Sequence, residues 1–237
     1  MNGSTQKTII FCIPGSFFSQ EFLRSWTAVT LWCQENSITP ILSQSNNPDL
    51  YTARNECLGG GIQGSTDLKP FQNQSYDYLM WIDSDQIFTP DHFAKLLGHD
   101  VDVVAGLYMM EDSGTFTTVK DWNEEYYKEH GRLLHLSPEE IQGQTKLLEV
   151  AFTGLGFCLF KHGVIESLDY PWFAPMDKKI GKINVSIGED AAFFYRLREK
   201  GFKIYIDPTV IIGHERRYRQ GPHYFPPIPE ASKCIPE

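Results

Sequence analysis

Two aspartates, one residue apart, follow the most apolar stretch of the chain. Residues 76–82 are a nearly continuous run of large apolar and aromatic side chains, which predicts a buried strand, and Asp83 and Asp85 come directly after it. Open α/β sheets bind ligands beyond the carboxyl ends of their strands. Carboxylates there suit Mg²⁺ or Mn²⁺, which also contact substrate phosphates. The alternative is a solvated turn in which an aspartate bonds nearby backbone.

A second acidic pair, Glu189 and Asp190, opens a segment whose pattern predicts a helix over 189–200, closed by Gly201. A carboxylate at the start of a helix can simply cap the helix. This structural role accounts well for one of the two acidic residues but less well for both. Because the helix dipole favours an ionised carboxylate, we expect Asp190 to be ready to accept a proton near neutral pH.

A lone histidine, His214, lies late in the chain and by itself is more often structural than a ligand. A dense basic group follows it, made of Arg216, Arg217 and Arg219. This group is either a solvated face or a partner for a diphosphate or another anion.

The elements that must position these residues alternate between strand and helix patterns. Strands are predicted over 7–13, 39–44, 76–82, 102–108, 149–160 and 202–206, and helices over 19–35, 50–57, 90–97 and 189–200. This alternation predicts an α/β fold with a mostly parallel, Rossmann-like central sheet flanked by helices. Residues 59–74 and 111–149 have no strong period and are expected to be loops. The chain shows no repeat or linker, so we expect one domain over 1–237.

Composition narrows the class of protein. The chain has 237 residues, is 41% hydrophobic and 22% charged, and so is ordinary globular material. Its net charge of −9 argues against broad nucleic-acid binding. No run approaches the ~18 apolar residues of a membrane span. The odd number of scattered cysteines favours a reducing, cytoplasmic compartment with every thiol free: Cys12, Cys33, Cys57, Cys158 and Cys234.

In their order along the chain, several short motifs resemble those of nucleotide-sugar glycosyltransferases with the GT-A fold. The set is Thr52-Ala-Arg-Asn55, Asp83-Ser-Asp85, Thr153-Gly-Leu-Gly-Phe157, Gly188-Glu-Asp190, Gly201-Phe-Lys-Ile-Tyr-Ile-Asp-Pro208 and Gly213-His214. The likeness covers about 8–215 and is nearest to family-2-type enzymes and to small glycosyltransferase domains of large algal viruses, which suggests a viral source. Residues 111–149 and the tail after Glu215 match nothing in this family.

The resemblance implies a single GT-A domain with a donor half over about 8–110, an acceptor half over about 111–215 and an irregular tail over 216–237. It implies transfer of a hexose or pentose from a UDP- or GDP-type sugar to the hydroxyl of a glycan or another acceptor. The implied cofactor is Mn²⁺ or Mg²⁺, and the implied metal ligands are Asp83, Asp85 and His214. An imidazole among them suits Mn²⁺ somewhat better.

Other roles are also carried over from the resemblance. The implied donor-binding residues are Ile13, Pro14, Gly15, Arg54, Asp83 and Ser84, with Gly154 and Gly156 allowing backbone to approach the sugar. Asp190 corresponds to the catalytic base of inverting members, and Glu189 beside it would hold a donor or acceptor hydroxyl. Inversion is favoured, while retention stays open.

Three rival functions remain. A nucleotidyltransferase would carry a basic, glycine-rich loop after the first strand, whereas residues 14–18 contain no basic side chain. An inactive nucleotide-sugar or carbohydrate-binding module would be free to lose Asp85, Asp190 or His214, yet all three are present. An enzyme that glycosylates DNA bases is permitted by the basic group but disfavoured by the acidic net charge.

Overall fold

The computed structural model describes residues 6–61, 63–110 and 114–216. The strands there are β1 (Lys7–Cys12), β2 (Ile38–Ser43), β3 (Tyr78–Ile82), β4 (Gln86–Ile87), β5 (Val103–Leu107), β6 (Leu148–Val150), β7 (Phe157–Lys161), β8 (Met176–Ile180), β9 (Ile183–Ile187), β10 (Ile204–Ile211) and β11 (Gly213–His214). The helices are α1 (Gln20–Glu35), α2 (Leu50–Cys57), α3 (Pro90–Gly98), α4 (Glu124–His130), α5 (Pro138–Ile141) and α6 (Glu189–Glu199).

A seven-stranded sheet, in the order β2-β1-β3-β7-β5-β10-β6, forms the centre of the described residues. Strands β1, β2, β3, β5 and β10 run in one direction, whereas β7 and β6 run against their neighbours. Central strands β3 and β5 are buried along their whole length, which is why both appear in the sequence as apolar runs. The predicted α/β class with a mostly parallel sheet is confirmed.

Helices cover both faces of this sheet. Alternate residues of β1 point to opposite sides, as the pleat requires. Ile9 and Phe11 join a core with Phe22 of α1 and Phe93 of α3. Ile10 and Cys12 join the other core, which contains the aromatic side of α6. The start of α6 is thereby held against the sheet.

Several element ends differ from the sequence prediction. Strand β10 continues to Ile211 through Pro208, although a strand ending at 206 was expected, because its pairing with β5 shifts register between Ile206 and Ile211. The predicted strand over 149–160 is two strands, β6 and β7, separated by a loop. The predicted loop over 111–149 contains the short helices α4 and α5. The hairpin β8–β9 was not predicted, although β9 alternates apolar and polar residues; both strands are mostly exposed or half-buried, and Ile180 and Ile187 are their buried residues.

The remaining expectations about the chain concern thiols, membrane spans and domain limits. Among the described residues, Cys12, Cys33, Cys57 and Cys158 are free and buried, while Cys234 lies outside them. None of the helices in the described part of the chain has the length and apolarity needed to cross a bilayer. The single-domain limits and the division into donor and acceptor halves stay predictions, and the predicted tail lies outside the described residues except for Arg216.

Candidate active site

A buried arginine lies at the centre of the acidic residues. Arg54 of α2 is 1% exposed, and its Nη1 lies 3.2 Å from Oδ1 of Asp83 at the end of β3. Its Nε lies 3.3 Å from Oδ1 of Asp190 and 3.7 Å from Oε1 of Glu189, both at the start of α6. The guanidinium also lies beside the ring of Trp81, at 5.4 Å from the ring centre. One cation therefore joins the two acidic motifs, which are a hundred residues apart in sequence.

The charges around Arg54 do not balance. When ionised, Asp83, Glu189 and Asp190 bring three negative charges to one positive charge. Burial raises the pKa of Asp190 most, and the charges of Glu189 and Asp83 raise it further. Arg54 and a hydrogen bond from the Leu155 N–H at 3.3 Å act in the opposite direction, and the resulting pKa is about 7. The helix dipole, on which the sequence prediction rested, favours the ionised form; burial among like charges opposes it and places the pKa of Asp190 near neutral pH.

A second pair, Asp85 and His214, lies beside this cluster. Strand β11 pairs with β4, and this pairing brings His214 Nε2 to 3.2 Å from Oδ2 of Asp85. The opposite ring nitrogen, Nδ1, lies 2.8 Å from the carbonyl oxygen of Met109. Burial is the largest single effect and opposes ionisation of Asp85, but the hydrogen bond and charge of His214, together with hydrogen bonds from backbone and Gln86, outweigh it and lower the pKa of this carboxyl. Asp85 is 46% exposed and therefore accessible to a ligand.

The predicted metal ligands are only partly brought together. Within residues 6–61, 63–110 and 114–216, no three His, Cys, Asp or Glu side chains are grouped so that they could hold a metal. Asp83 is bonded to Arg54, which leaves Asp85 and His214 as a two-ligand set. Binding a cation through Nε2 requires the neutral tautomer in which Nδ1–H donates to Met109, and the cation then replaces the hydrogen bond between Nε2 and Asp85. That donor set fits a divalent cation that completes its coordination with phosphate and water oxygens.

Cavities open on both sides of the Arg54 cluster. On one side are two neighbouring cavities of 470 and 220 Å³, which we call the Asp85 cavities because both are lined by Ser84 and Asp85. Pro14, Gly15 and Asp83 line the smaller one and Arg216 lines the larger one. The other side has a cavity of 270 Å³ lined by Glu189, Asp190 and Gly154. We call it the Asp190 cavity.

Tyr108, at the end of β5, lies between the acidic residues and the glycine-rich segment after β6. Its hydroxyl oxygen accepts a bond from the Gly156 N–H at 3.0 Å, and its ring lines the Asp190 cavity. A Cβ atom on Gly156 would lie 2.8 Å from this ring, and one on Gly154 would collide with the hydroxyl. The two glycines thus make room for Tyr108, which is a different reason from the predicted approach to a sugar.

The other predicted site residues have mixed placements. Pro14, Gly15 and Ser84 line the Asp85 cavities as expected, and Gly15 has a φ of +146° where an added Cβ would collide with Ser84. Ile13, by contrast, is 1% exposed and belongs to the core on the α1 side. Arg54 lies beneath the cavities and joins their carboxylates, whereas the sequence prediction placed it in the wall of a nucleotide pocket.

Eight residues that line the Asp190 cavity were absent from the predicted site, and the polar or aromatic ones among them include Tyr108, Thr117 and His135. Tyr108 follows β5, which runs in the same direction as β3 although β7 lies between them, and its position at the same edge of the sheet as Asp83 was the available signal. Thr117 and His135 lie in an aperiodic segment that offers no such signal.

Comparison with solved structures shows the fold. The chain is similar to A197 from STIV, with a TM-score of 0.50, 16% identity, and coverage of 92% of this chain and 100% of that one. No family model matches the sequence, and no curated protein matches it either. The described residues have a GT-A-like glycosyltransferase fold, as the ordered motifs predicted.

Two other structures are more distant. GalNAc-T7, determined with UDP, GalNAc and Mn²⁺, has a TM-score of 0.49 and 11% identity, and the likeness covers 91% of this chain but 45% of that one. A Drosophila β1,4-galactosyltransferase 7 mutant, determined with manganese, UDP-Gal and xylobiose, has a TM-score of 0.47 and 12% identity over 89% and 71% of the two chains. Likenesses this remote assign neither a ligand nor an activity to this chain.

Proposed function

We propose that the protein is a metal-dependent glycosyltransferase that moves a sugar from a nucleoside-diphosphate sugar to an acceptor hydroxyl with inversion. The observation that carries this proposal is the position of Arg54. It holds Asp83 on the side of the Asp85 cavities and Asp190 in the wall of the other cavity. Asp83 and Asp190 thus contact the same buried charge while they line different cavities, an arrangement that suits a donor in one cavity and an acceptor in the other.

The Asp85 cavities are proposed to take a UDP- or GDP-type donor. Asp85 and His214 would hold Mn²⁺ or Mg²⁺, and Asp83 would stay on Arg54 and face the donor. Such an ion neutralises charge on the departing diphosphate when it is bound. Arg216 lines the larger cavity and lies 3.0 Å from Nδ1 of His214, where its guanidinium can pair with a phosphate. Of the three arginines in the predicted basic group, Arg216 is the one that lies within the described residues.

The Asp190 cavity is proposed to take the acceptor. The acceptor oxygen attacks the anomeric carbon, the bond from that carbon to the diphosphate oxygen breaks, and its electron pair leaves with the diphosphate. The proton of the acceptor hydroxyl passes to Asp190. Arg54 and the Leu155 N–H orient the carboxylate, and the repulsion from Glu189 and Asp83 keeps it basic enough to accept that proton. Glu189 lies close enough to bond a further hydroxyl.

A reducing, cytoplasmic location is part of the proposal. Burial raises the pKa of the Cys33 thiol to about 11. It is also the largest cause that raises the pKa of the Cys57 thiol, to about 12. Both thiols are therefore poorly reactive. Such thiols are typical of a compartment where disulfides do not form. A viral source stays a prediction from the resemblance alone.

The proposal is tested with a panel of UDP- and GDP-sugars and the full chain. Free nucleoside diphosphate should be released in Mn²⁺ and not in excess EDTA. Asp85→Asn should reduce this release strongly, whereas Asp91→Asn, at an exposed position of α3, should leave it unchanged. Undiminished release in EDTA, or no release from any donor, would contradict the proposal.

A further inference from the structure

Thr117, one of the residues that line the Asp190 cavity, has a buried hydroxyl with no partner among the described residues. Oγ1 of Thr117 makes no hydrogen bond there, although the Thr117 N–H donates to the carbonyl of Tyr108 at 3.2 Å. The next residue is different, because the hydroxyls of Thr118 and Thr153 bond each other at 2.7 Å. A buried hydroxyl without a partner destabilises a fold, so its presence in a cavity wall points to a ligand that supplies the missing bond.

The rest of the cavity wall combines apolar surface with few polar groups. Phe152, Met110 and Ala191 supply the apolar part, and Asp190 and Thr117 line the same cavity. Apolar walls with a few convergent polar groups are typical of small-molecule sites. The volume of 270 Å³ is just below the range of about 300–1,000 Å³ that drug-sized ligands occupy, so it suits one compact unit.

A second cavity lies on the other side of His135. It measures 190 Å³, and its lining includes His135 together with Lys120, Asp121, Asn123 and Glu140. His135 is therefore a wall common to this cavity and to the Asp190 cavity. The second cavity is polar, with an ammonium, carboxylates and an amide that both donate and accept hydrogen bonds. A ligand that extends past His135 would meet these groups.

Backbone hydrogen bonds fix the segment that carries Thr117 and His135. The Phe116 N–H donates to the carbonyl of Leu136 at 2.9 Å, and the Val119 N–H donates to that of Phe152 at 2.9 Å. His135 Nδ1 lies 3.1 Å from the Phe116 carbonyl oxygen. The two cavities are thus formed before any ligand binds, and these backbone groups are already paired. An extended peptide could not add a strand to them.

We infer that the acceptor is a glycan of at least two sugar units. Its terminal sugar occupies the Asp190 cavity, with one hydroxyl on Asp190, a second on Oγ1 of Thr117 and its CH face on Phe152. Its next sugar lies beyond His135, among Lys120 and the neighbouring polar groups. This inference rests on the proposed function, and it concerns a segment that matches nothing in the family the sequence resembles.

The test measures binding of the full chain, without donor, to an array of mono- to tetrasaccharides. Disaccharides and longer glycans should bind. Thr117→Val should weaken that binding about 3- to 10-fold, the loss of one hydrogen bond, while Thr117→Ser retains it. The melting temperature of Thr117→Val should equal or exceed that of the wild type, because valine removes a buried hydroxyl without a protein partner.

The second cavity is tested on the same array. Lys120→Ala should weaken binding of disaccharides and longer glycans but not of monosaccharides, and Lys200→Ala, at the far end of α6, should change neither. The inference is overturned if no glycan binds, if an array of Ser- and Thr-containing peptides binds instead, or if Thr117→Val binds as the wild type does. A lower melting temperature of Thr117→Val would assign the hydroxyl a structural role and also overturn it. Because no donor is present, failure here is distinct from failure to release nucleoside diphosphate.

Discussion

Replacing Asp190 by asparagine should stabilise the protein at high pH while it slows the reaction. The pKa of Asp190 in the folded protein is about 7, against a usual value of 3.8. Between these values the folded state binds more protons than the unfolded state, so stability falls as pH rises through this window. Because asparagine does not ionise, the Asp190→Asn variant does not lose stability in this way as the pH rises. It can still accept the bond from the Leu155 N–H, and Arg54 keeps Asp83 and Glu189 as partners.

The magnitude follows from the two pKa values. A pKa difference of one is worth about 1.4 kcal/mol, so a change from 3.8 to about 7 corresponds to at most about 4 kcal/mol above pH 7. The lost ion pair with Arg54, at 3.3 Å, offsets part of this gain. We therefore expect Asp190→Asn to be about 1–4 kcal/mol more stable than the wild type at pH 8 and equal to it or slightly less stable near pH 4.

The assay is urea unfolding of both proteins at pH values from 4 to 8. A matched control is Asp177→Asn, at an exposed position of the β8–β9 hairpin, whose stability difference from the wild type should not vary with pH in this way. If Asp190→Asn were destabilised equally at all pH values, the carboxyl would not have a raised pKa, and the reasoning from burial among like charges would be refuted.

Three further results are expected. Asp190→Asn should lower turnover about 10²–10⁴-fold with donor affinity unchanged, and kcat/KM of the wild type should rise with pH through about 7 as Asp190 loses its proton; a flat profile would contradict this. Arg54→Met should lower the free energy of unfolding in urea by about 3–5 kcal/mol at pH 8, because three carboxylates lose their shared cation. The loss should be smaller at pH 5, and an equal loss at both pH values would contradict this explanation. Mass spectrometry of the native, active protein should find all five cysteines free, and an intramolecular disulfide would oppose this.

Local patterns predicted most of the elements that carry the site. The apolar run of β3 placed Asp83 and Asp85 at a strand end, and the spacing after Gly188 placed Asp190 at the start of α6. Both signals are contained within a dozen residues of sequence. Strand and helix periodicity also gave the α/β class, because buried parallel strands and amphipathic helices have distinct patterns.

What sequence reasoning missed depends on contacts between distant segments. The hydrogen bonds from Arg54 to Asp83 and its ion pair with Asp190 join α2, β3 and α6, and no local pattern reports such an approach. The ionisation of Asp190 was predicted from its own helix, whereas burial and neighbouring charges from other elements determine it. Thr117 lies in a segment positioned by isolated backbone bonds to Tyr108 and its neighbours, which produce no periodicity.

The stereochemistry of the first product tests the central claim most directly. The proposal places the donor in the Asp85 cavities and the acceptor in the separate Asp190 cavity, with Asp190 as the base of a single displacement in which the acceptor attacks opposite the leaving diphosphate. Early in a reaction run in Mg²⁺, ¹H NMR of the anomeric proton should show that an axially linked donor sugar becomes equatorially linked in the product. Retention of the axial linkage would contradict a single displacement with Asp190 as its base.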